Sequence, residues 1–367
     1  MEKGKISSLQ MAIMMYPAIV ATAILGVPSI TAKYAKTDLW LSPILASFIG
    51  VVTVYIAYKL HKLYPEQTVI QFSEHIIGRL AGKVLGFFFL FFYIQITGII
   101  IRGYAEFIVN SFLVNTPISV IMASIAFLSA LTVHGGLETM GRVAQMFIPV
   151  FIVPFLISII LLSPDMEFRN IFPILGEGMM PSIKGAIVPG GWFTEFFLIS
   201  FLMPFLADRK KGMKYGMISV FAVMMTLVAV NLMVLFILGS ATPTREYPLM
   251  NVARYVSIAE FFEHLESAVM AVWVVGAFVK ISVFYYATAL GTAQWLNLSD
   301  YRPIVWPLGI LMLEFGVWSF PNAMETENFD VKTFPLYGLL IQTITPLFLL
   351  MIAIARKRKR LGSKKND

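Results

Sequence analysis

The chain has 367 residues, 58% hydrophobic and only 13% charged, with a mean hydropathy of +0.79, which excludes a soluble globular domain. It contains no cysteine, so disulfides and thiolate metal sites are excluded. The formal net charge of +7 lies in short loops and in the tail, where membrane topology accounts for it without nucleic acid as a partner.

Apolar runs of about 18 or more residues recur along the chain, the length needed to cross roughly 30 Å of hydrocarbon. The sequence therefore predicts one all-α polytopic membrane domain over 1–367 with ten spans, at 10–31, 39–60, 84–112, 117–133, 140–162, 185–206, 215–239, 265–290, 303–320 and 335–355. The start carries Lys3 and Lys5 but no small-residue cleavage site, so the first span reads as a retained helix. Within it, residues 20–29 place Gly26 and Pro28 where a helix should run uninterrupted. Freed backbone groups are tolerated at membrane depth only in protein or beside a polar cavity, so this stretch is expected to be a kink or a ligand-binding break.

Basic residues favour one side. Lys59, Lys62, Arg79, Lys83, Arg142, Arg209, Lys210 and Lys211 share it with the basic tail, 356–367, so both termini are expected to be cytoplasmic. The run from Arg356 to Arg360 is expected either at anionic membrane lipids or as a plain stop-transfer flank. Between the second and third spans, Val69, Phe72, Ile76 and Leu80 recur near helical spacing, predicting an amphipathic helix over 68–83. Gly78, Gly82 and Gly86 follow at intervals of four and predict close helix contact. A turn-rich loop covers 163–184, and the loop at 240–264 has an amphipathic stretch over 249–262.

The sixth span is expected to break at Pro189, Gly190 and Gly191, followed by Trp192 and Glu195. Breaks in the first and sixth of ten spans divide the chain into halves of five, approximately 8–163 and 183–356. Five is odd, so any repeat relating the halves must be inverted, the organisation of many secondary transporters with a site at the midplane.

Ionisable groups at membrane depth each require a partner or a purpose. Arg102 and Glu106 lie four apart on one helix face, as a structural lock or a gate. Glu195 can bond freed amides or another helix's polar groups, or receive a ligand ammonium. Lys280, deep in the eighth span, is expected to face the interior near carboxylates or carbonyls. Glu314 reads as a structural partner for another helix. Thr22 and Tyr93 add polar groups nearby, and freed amides of the first span are expected to hold a ligand carboxylate. His61, His75, His134 and His264 are scattered, and no phosphate-binding loop or paired nucleophile occurs, so neither a metal site, a cofactor nor enzymatic catalysis is expected.

Several short segments, in order, carry a family resemblance: Ile24-Leu25-Gly26, Arg102 with Glu106, Thr116-Pro117-Ile118, Gly135-Gly136-Leu137, Pro173-Ile174-Leu175-Gly176-Glu177-Gly178, Glu195 with Pro204, and Glu266-Ser267 leading to Val272-Trp273. Over nearly its whole length the chain resembles the endospore germination permeases, the integral B subunits of nutrient germinant receptors. These belong with the amino acid, polyamine and organocation transporters. The resemblance implies a LeuT-like fold of two inverted five-helix repeats with broken first and sixth helices. It implies a small germinant, typically an amino acid, bound between the first, third, sixth and eighth helices. It also implies A and C partner subunits in the spore inner membrane. Carried onto this sequence, the pocket includes Ala23, Ile24, Leu25, Gly26, Phe92, Tyr93, Ile96, Gly191, Trp192, Glu195, Lys280 and Phe284. The family often has a second glycine where Pro28 stands, and an uncharged polar residue in the region of Lys280. The alternative function is an amino acid or polyamine permease that moves its ligand.

Overall fold

Apolar segments in hydrocarbon must satisfy their own backbone groups, which leaves helices as the available solution for this composition. The computed structural model describes residues 2–255 and 265–363. Among them fifteen α-helices follow in order: α1 (Ser8–Ala35), α2 (Leu41–Leu63), α3 (Val69–Ile77), α4 (Arg79–Ser111), α5 (Ile118–His134), α6 (Leu137–Leu162), α7 (Met180–Thr194), α8 (Ile199–Leu202), α9 (Gly212–Leu238), α10 (Pro248–Tyr255), α11 (Leu265–Trp295), α12 (Arg302–Trp318), α13 (Ala323–Asn328), α14 (Phe334–Leu339) and α15 (Thr345–Ser363). Among the described residues eight helical segments are long and apolar enough to cross a membrane. The 17-residue α5 and α12 complete the ten expected spans.

The first span differs from expectation: α1 is one continuous helix through Gly26 and Pro28. Pro28 can donate nothing to the Ile24 carbonyl one turn back. Side chains satisfy the carbonyls around it, the Ser29 hydroxyl donating to Gly26 O at 3.2 Å and Thr31 to Val27 O at 2.7 Å. Helix geometry thus survives, and the group that proline frees is an acceptor. The helix begins at a capping box, in which Ser7 Oγ accepts from the Gln10 amide and Gln10 Oε1 from the Ser7 amide.

The sixth span is interrupted, but later than expected. Pro189, Gly190 and Gly191 lie buried within α7, and the α-helix gives way to 3-10 turns at Glu195–Leu198 and Met203–Phe205 around α8. A Cβ on Gly191 would stand 2.8 Å from the Pro335 backbone, so this glycine serves close packing, whereas one on Gly190 would meet only the flexible end of the Ile49 side chain at 2.7 Å. The tenth span starts earlier than expected, at α13, and runs through π-helical turns at Phe329–Thr333 and Leu340–Ile344. Such turns displace side chains from regular register and recur at functional sites.

The packing has the pairing that an inverted repeat requires. α1, first in its half, packs on α9, second in the other half; α7, first in the second half, packs on α2, second in the first. α4 and α11, third in each half, pack on one another, and α1 and α7 meet at the centre. These central helices are apolar around their circumference because other helices surround them.

The amphipathic helix ends sooner than its periodicity predicts. Gly78 turns the chain at φ 95°, so α3 stops at Ile77 and Leu80 lies exposed on α4. Val69, Phe72 and Ile76 are buried as expected. Of the amphipathic stretch 249–262, α10 covers the start with Leu249, Met250 and Val252 buried; residues 256–262 lie outside the described residues.

The N-terminal segment ties down one face of the bundle through an isolated bridge between Ile6 and Leu206. The Ile6 amide donates to Phe205 O at 3.1 Å, and the Ala207 amide to Ile6 O at 2.9 Å. Asp208 Oδ1 accepts from the Ser8 amide and hydroxyl at 2.7 and 2.8 Å. Burial opposes ionisation of Asp208, yet these hydrogen bonds hold its carboxyl below the usual carboxylate range.

Helices in hydrocarbon gain little from apolar burial against one another and associate through close packing. α4 and α12 show this: a Cβ on Gly98 would sit 2.4 Å from Met312 O, and one on Gly316 2.7 Å from Gly98 O. Gly98→Ala is expected to destabilise the fold by about 1–3 kcal/mol through overpacking. The check is thermal unfolding of the purified chain in detergent, with Gly103→Ala, where a Cβ meets nothing within 4 Å, as the control that melts like wild type.

Candidate functional site

Three helices meet at Lys280. This side chain projects from α11, fully buried, with its Nζ 2.6 Å from Glu195 Oε2 and donating to Thr22 Oγ1 at 2.8 Å. The Phe284 ring lies 5.2 Å from the ammonium, one helical turn along. Glu195 reaches the pair because it stands where α7 gives way to 3-10 structure. A buried charge is tolerated when it is paired and hydrogen-bonded, and here α1, α7 and α11 are joined through one ammonium.

Above the pair is a cavity of about 160 Å³. Thr22, Leu25, Gly26, Ile96, Trp192, Glu195 and Lys280 line it, as does Glu106. Exposed Glu246 and Glu327 stand at its rim, so it opens on the face opposite the N-terminal closure. Aromatic and aliphatic walls carry a few polar groups, the constitution of a small-molecule site.

Other expected site residues fall elsewhere. Ala23 is buried within the helix packing, and Ile24 faces a separate, small apolar cavity beside Phe151 and Trp273. Phe92 packs edge-on against Tyr337 at 4.8 Å and Tyr93 at 5.3 Å. Tyr93 is buried and donates to Gln342 Oε1 at 3.2 Å, while Gln342 Nε2 donates to Thr194 Oγ1 at 3.0 Å. These contacts brace the cavity from behind, because the π turn at 340–344 brings Gln342 to the interruption of the sixth span. Pro28, Gly191 and Phe284 likewise support the wall without lining it.

Arg102 and Glu106 pair at 2.8 Å, and Arg102 also donates to the Gly316 and Val317 carbonyls at 3.1 Å each. The guanidinium therefore clamps α4 to α12 while Glu106 turns its carboxylate to the cavity. Glu314, expected to be a structural partner, is exposed and makes no hydrogen bond or ion pair among the described residues, because its face of α12 is turned outward. The continuous α1 also removes the expected cradle of free amides for a ligand carboxylate.

Tyr104 and Asp330 line the cavity and escaped sequence reasoning. Tyr104 was legible in principle, since Ile96, Ile100 and Tyr104 recur every four residues and share one face. Asp330 was concealed by placing the tenth span too late. Asn322 followed by Glu325 was the available signal, and Asn322 Oδ1 does accept from the Glu325 amide at 3.1 Å as the cap of α13. Among the described residues no group of three or more His, Asp or Glu could hold a metal ion.

The family profile described as spore germination protein matches residues 5–323. Spore germination protein KB of Bacillus subtilis (strain 168) is 25% identical over 372 residues, covering 99% of this chain and 98% of the relative. Spore germination protein YndE of the same organism is 25% identical over 358 residues, covering 97% and 98%. Among solved structures, MhsT in complex with L-phenylalanine superposes with a TM-score of 0.64 at 13% identity, covering 96% of this chain and 89% of that one. Mhp1, a nucleobase-cation-symport-1 family transporter in a closed conformation with bromovinylhydantoin bound, gives 0.65 at 13% identity, covering 92% and 78%. The fold is thus that of LeuT-like transporters, in a multi-pass membrane protein.

Removing one member of a buried ion pair leaves an uncompensated charge, at a cost of about 3–5 kcal/mol. Lys280→Met and Glu195→Gln are each expected to lower the melting temperature, and the double variant to melt above either single one. Thermal unfolding of the four purified proteins checks this; simple addition of the two losses would mean the groups are not coupled.

Proposed function

The chain belongs to the spore germination protein family, and we propose that it is the germinant-sensing subunit of a spore nutrient receptor. One observation carries the proposal: the Lys280–Glu195–Thr22 junction ties three helices together directly beneath a cavity of small-molecule size. A ligand bound above that junction alters the electrostatics that hold α1, α7 and α11 in this arrangement. Ligand binding then shifts the balance between conformations by its differential affinity for them, which is what sensing requires. The ligand is a small nitrogenous nutrient, amino acids being the first class to test. The subunit acts with A and C subunits in the spore inner membrane, both termini in the cytoplasm and the basic tail against lipid headgroups. It binds its ligand without transforming it.

The second reading, an amino acid or polyamine permease, draws on the closure of one face. The cavity opens away from the Ile6–Phe205 and Ser8–Asp208 ties, as one state of an alternating-access cycle would. Solved proteins of this fold have been captured with L-phenylalanine or bromovinylhydantoin, compounds of a size relevant to such a route.

Spores carrying Lys280→Ala are expected to lose or change their nutrient response while the subunit persists in the membrane. Germination assays with immunoblots of the inner membrane check this. An unaltered nutrient profile would contradict the proposal. Labelled-substrate uptake into vesicles by the purified chain alone, with normal germination of a deletion strain, would favour the permease.

A further inference from the structure

The charges around the cavity are unbalanced. Among the described residues five carboxylates line it, from Glu106, Glu195, Glu246, Glu327 and Asp330, against one ammonium, that of Lys280. Three of the five have cationic partners: Glu195 with Lys280 at 2.6 Å, Glu106 with Arg102 at 2.8 Å, and Glu327 with Lys33 at 3.4 Å. Glu246 is exposed to solvent at the rim. Asp330 is different. It is partly buried, stands on the π turn Phe329–Thr333, and makes neither an ion pair nor a hydrogen bond among the described residues. It lies near enough to Lys280, Glu195, Glu106 and Glu327 to feel their charges, and the nearest ammonium is already committed to Glu195 and Thr22.

A second observation is independent of this count. Tyr104 lines the same cavity, is 2% exposed, and its buried hydroxyl has no hydrogen-bond partner among the described residues. A buried hydroxyl without a partner costs free energy unless something in the cavity supplies one. The backbone points the same way. α1 is continuous through Gly26 and Pro28 and so presents no broken-helix amides that could hold an anion.

Resting on the nutrient-site reading above, we propose that the cavity selects a small organic ammonium ion of net positive charge, with Asp330 as its counter-ion and Tyr104 as a second polar contact. A zwitterion of the alanine type would bring a carboxylate that finds only a spent lysine and a surrounding field of carboxylates. The volume of about 160 Å³ suits a small ligand, near the size of the benzene held by a cavity of about 150 Å³. Short aliphatic amines and amino alcohols fit this description.

The test is calorimetric titration of the purified full chain in lipid nanodiscs with three probes of similar size: ethanolamine, L-alanine and propionate. Ethanolamine is expected to bind at least about tenfold more tightly than L-alanine, with propionate undetected. Asp330→Asn should weaken ethanolamine by about tenfold or more, the scale of a lost charge-assisted contact. Tyr104→Phe should weaken it by a few fold, and both variants should melt like wild type. L-alanine binding as tightly as ethanolamine, or ethanolamine binding unchanged in Asp330→Asn, would overturn the cation assignment while leaving the nutrient site in place. Absence of binding by all three probes would overturn the cation assignment. If spores carrying Lys280→Ala also respond normally to nutrients, the nutrient-site reading fails with it.

Discussion

The ion pair between Lys280 and Glu195 is the constraint on which the centre of this protein depends. Neither charge is accessible to solvent, so each requires the other, and the 2.6 Å separation with a further bond to Thr22 is the arrangement that meets the requirement. It fixes where α11 stands relative to α1 and the interrupted sixth span. The glycines at 190 and 191 let neighbouring side chains and backbone approach that span closely. Gln342 reaches the same interruption from the tenth span through Thr194. The result is a polar junction enclosed by aromatic packing, with space left on one side only.

A site built this way is sensitive to charge. The junction is neutral as a unit, so the field of the cavity is governed by carboxylates that lie outside it. Among the described residues the partly buried Asp330 makes no hydrogen bond or ion pair, and the buried hydroxyl of Tyr104 lacks a partner where polar groups are ordinarily satisfied. The closed face contributes by contrast: Ile6 and Ser8 bond the segment after α8, so access lies on the side of Glu246 and Glu327.

Much of this was legible in the sequence. Ten apolar spans and the buried roles of Glu195 and Lys280 follow from the cost of charge and free backbone groups in hydrocarbon, which applies whatever the fold. The position of the helix interruption did not follow. Proline and glycine predict a kink or break at Pro28 and a break at Pro189, yet both prolines are carried inside helices. Ser29 and Thr31 supply hydroxyls to the carbonyls around Pro28, while the Pro335 backbone demands a small residue at 191. The pairing of Lys280 with Glu195 was beyond reach because they lie 85 residues apart, and only the packing of α11 on the sixth span brings them together. Asp330 was hidden for a local reason, a helix whose polar first turns resemble a loop in hydropathy although Asn322 marks its start.

On the proposed function the nutrient acts in the cavity above Lys280 and Glu195. A structure of the full chain in lipid nanodiscs, determined with a small ammonium ligand present, tests it most directly. Ligand density is expected between Asp330, Tyr104 and an intact Lys280–Glu195 pair. Density at another place with this cavity empty, or a Lys280 ammonium separated from Glu195 in the unliganded chain, would contradict it.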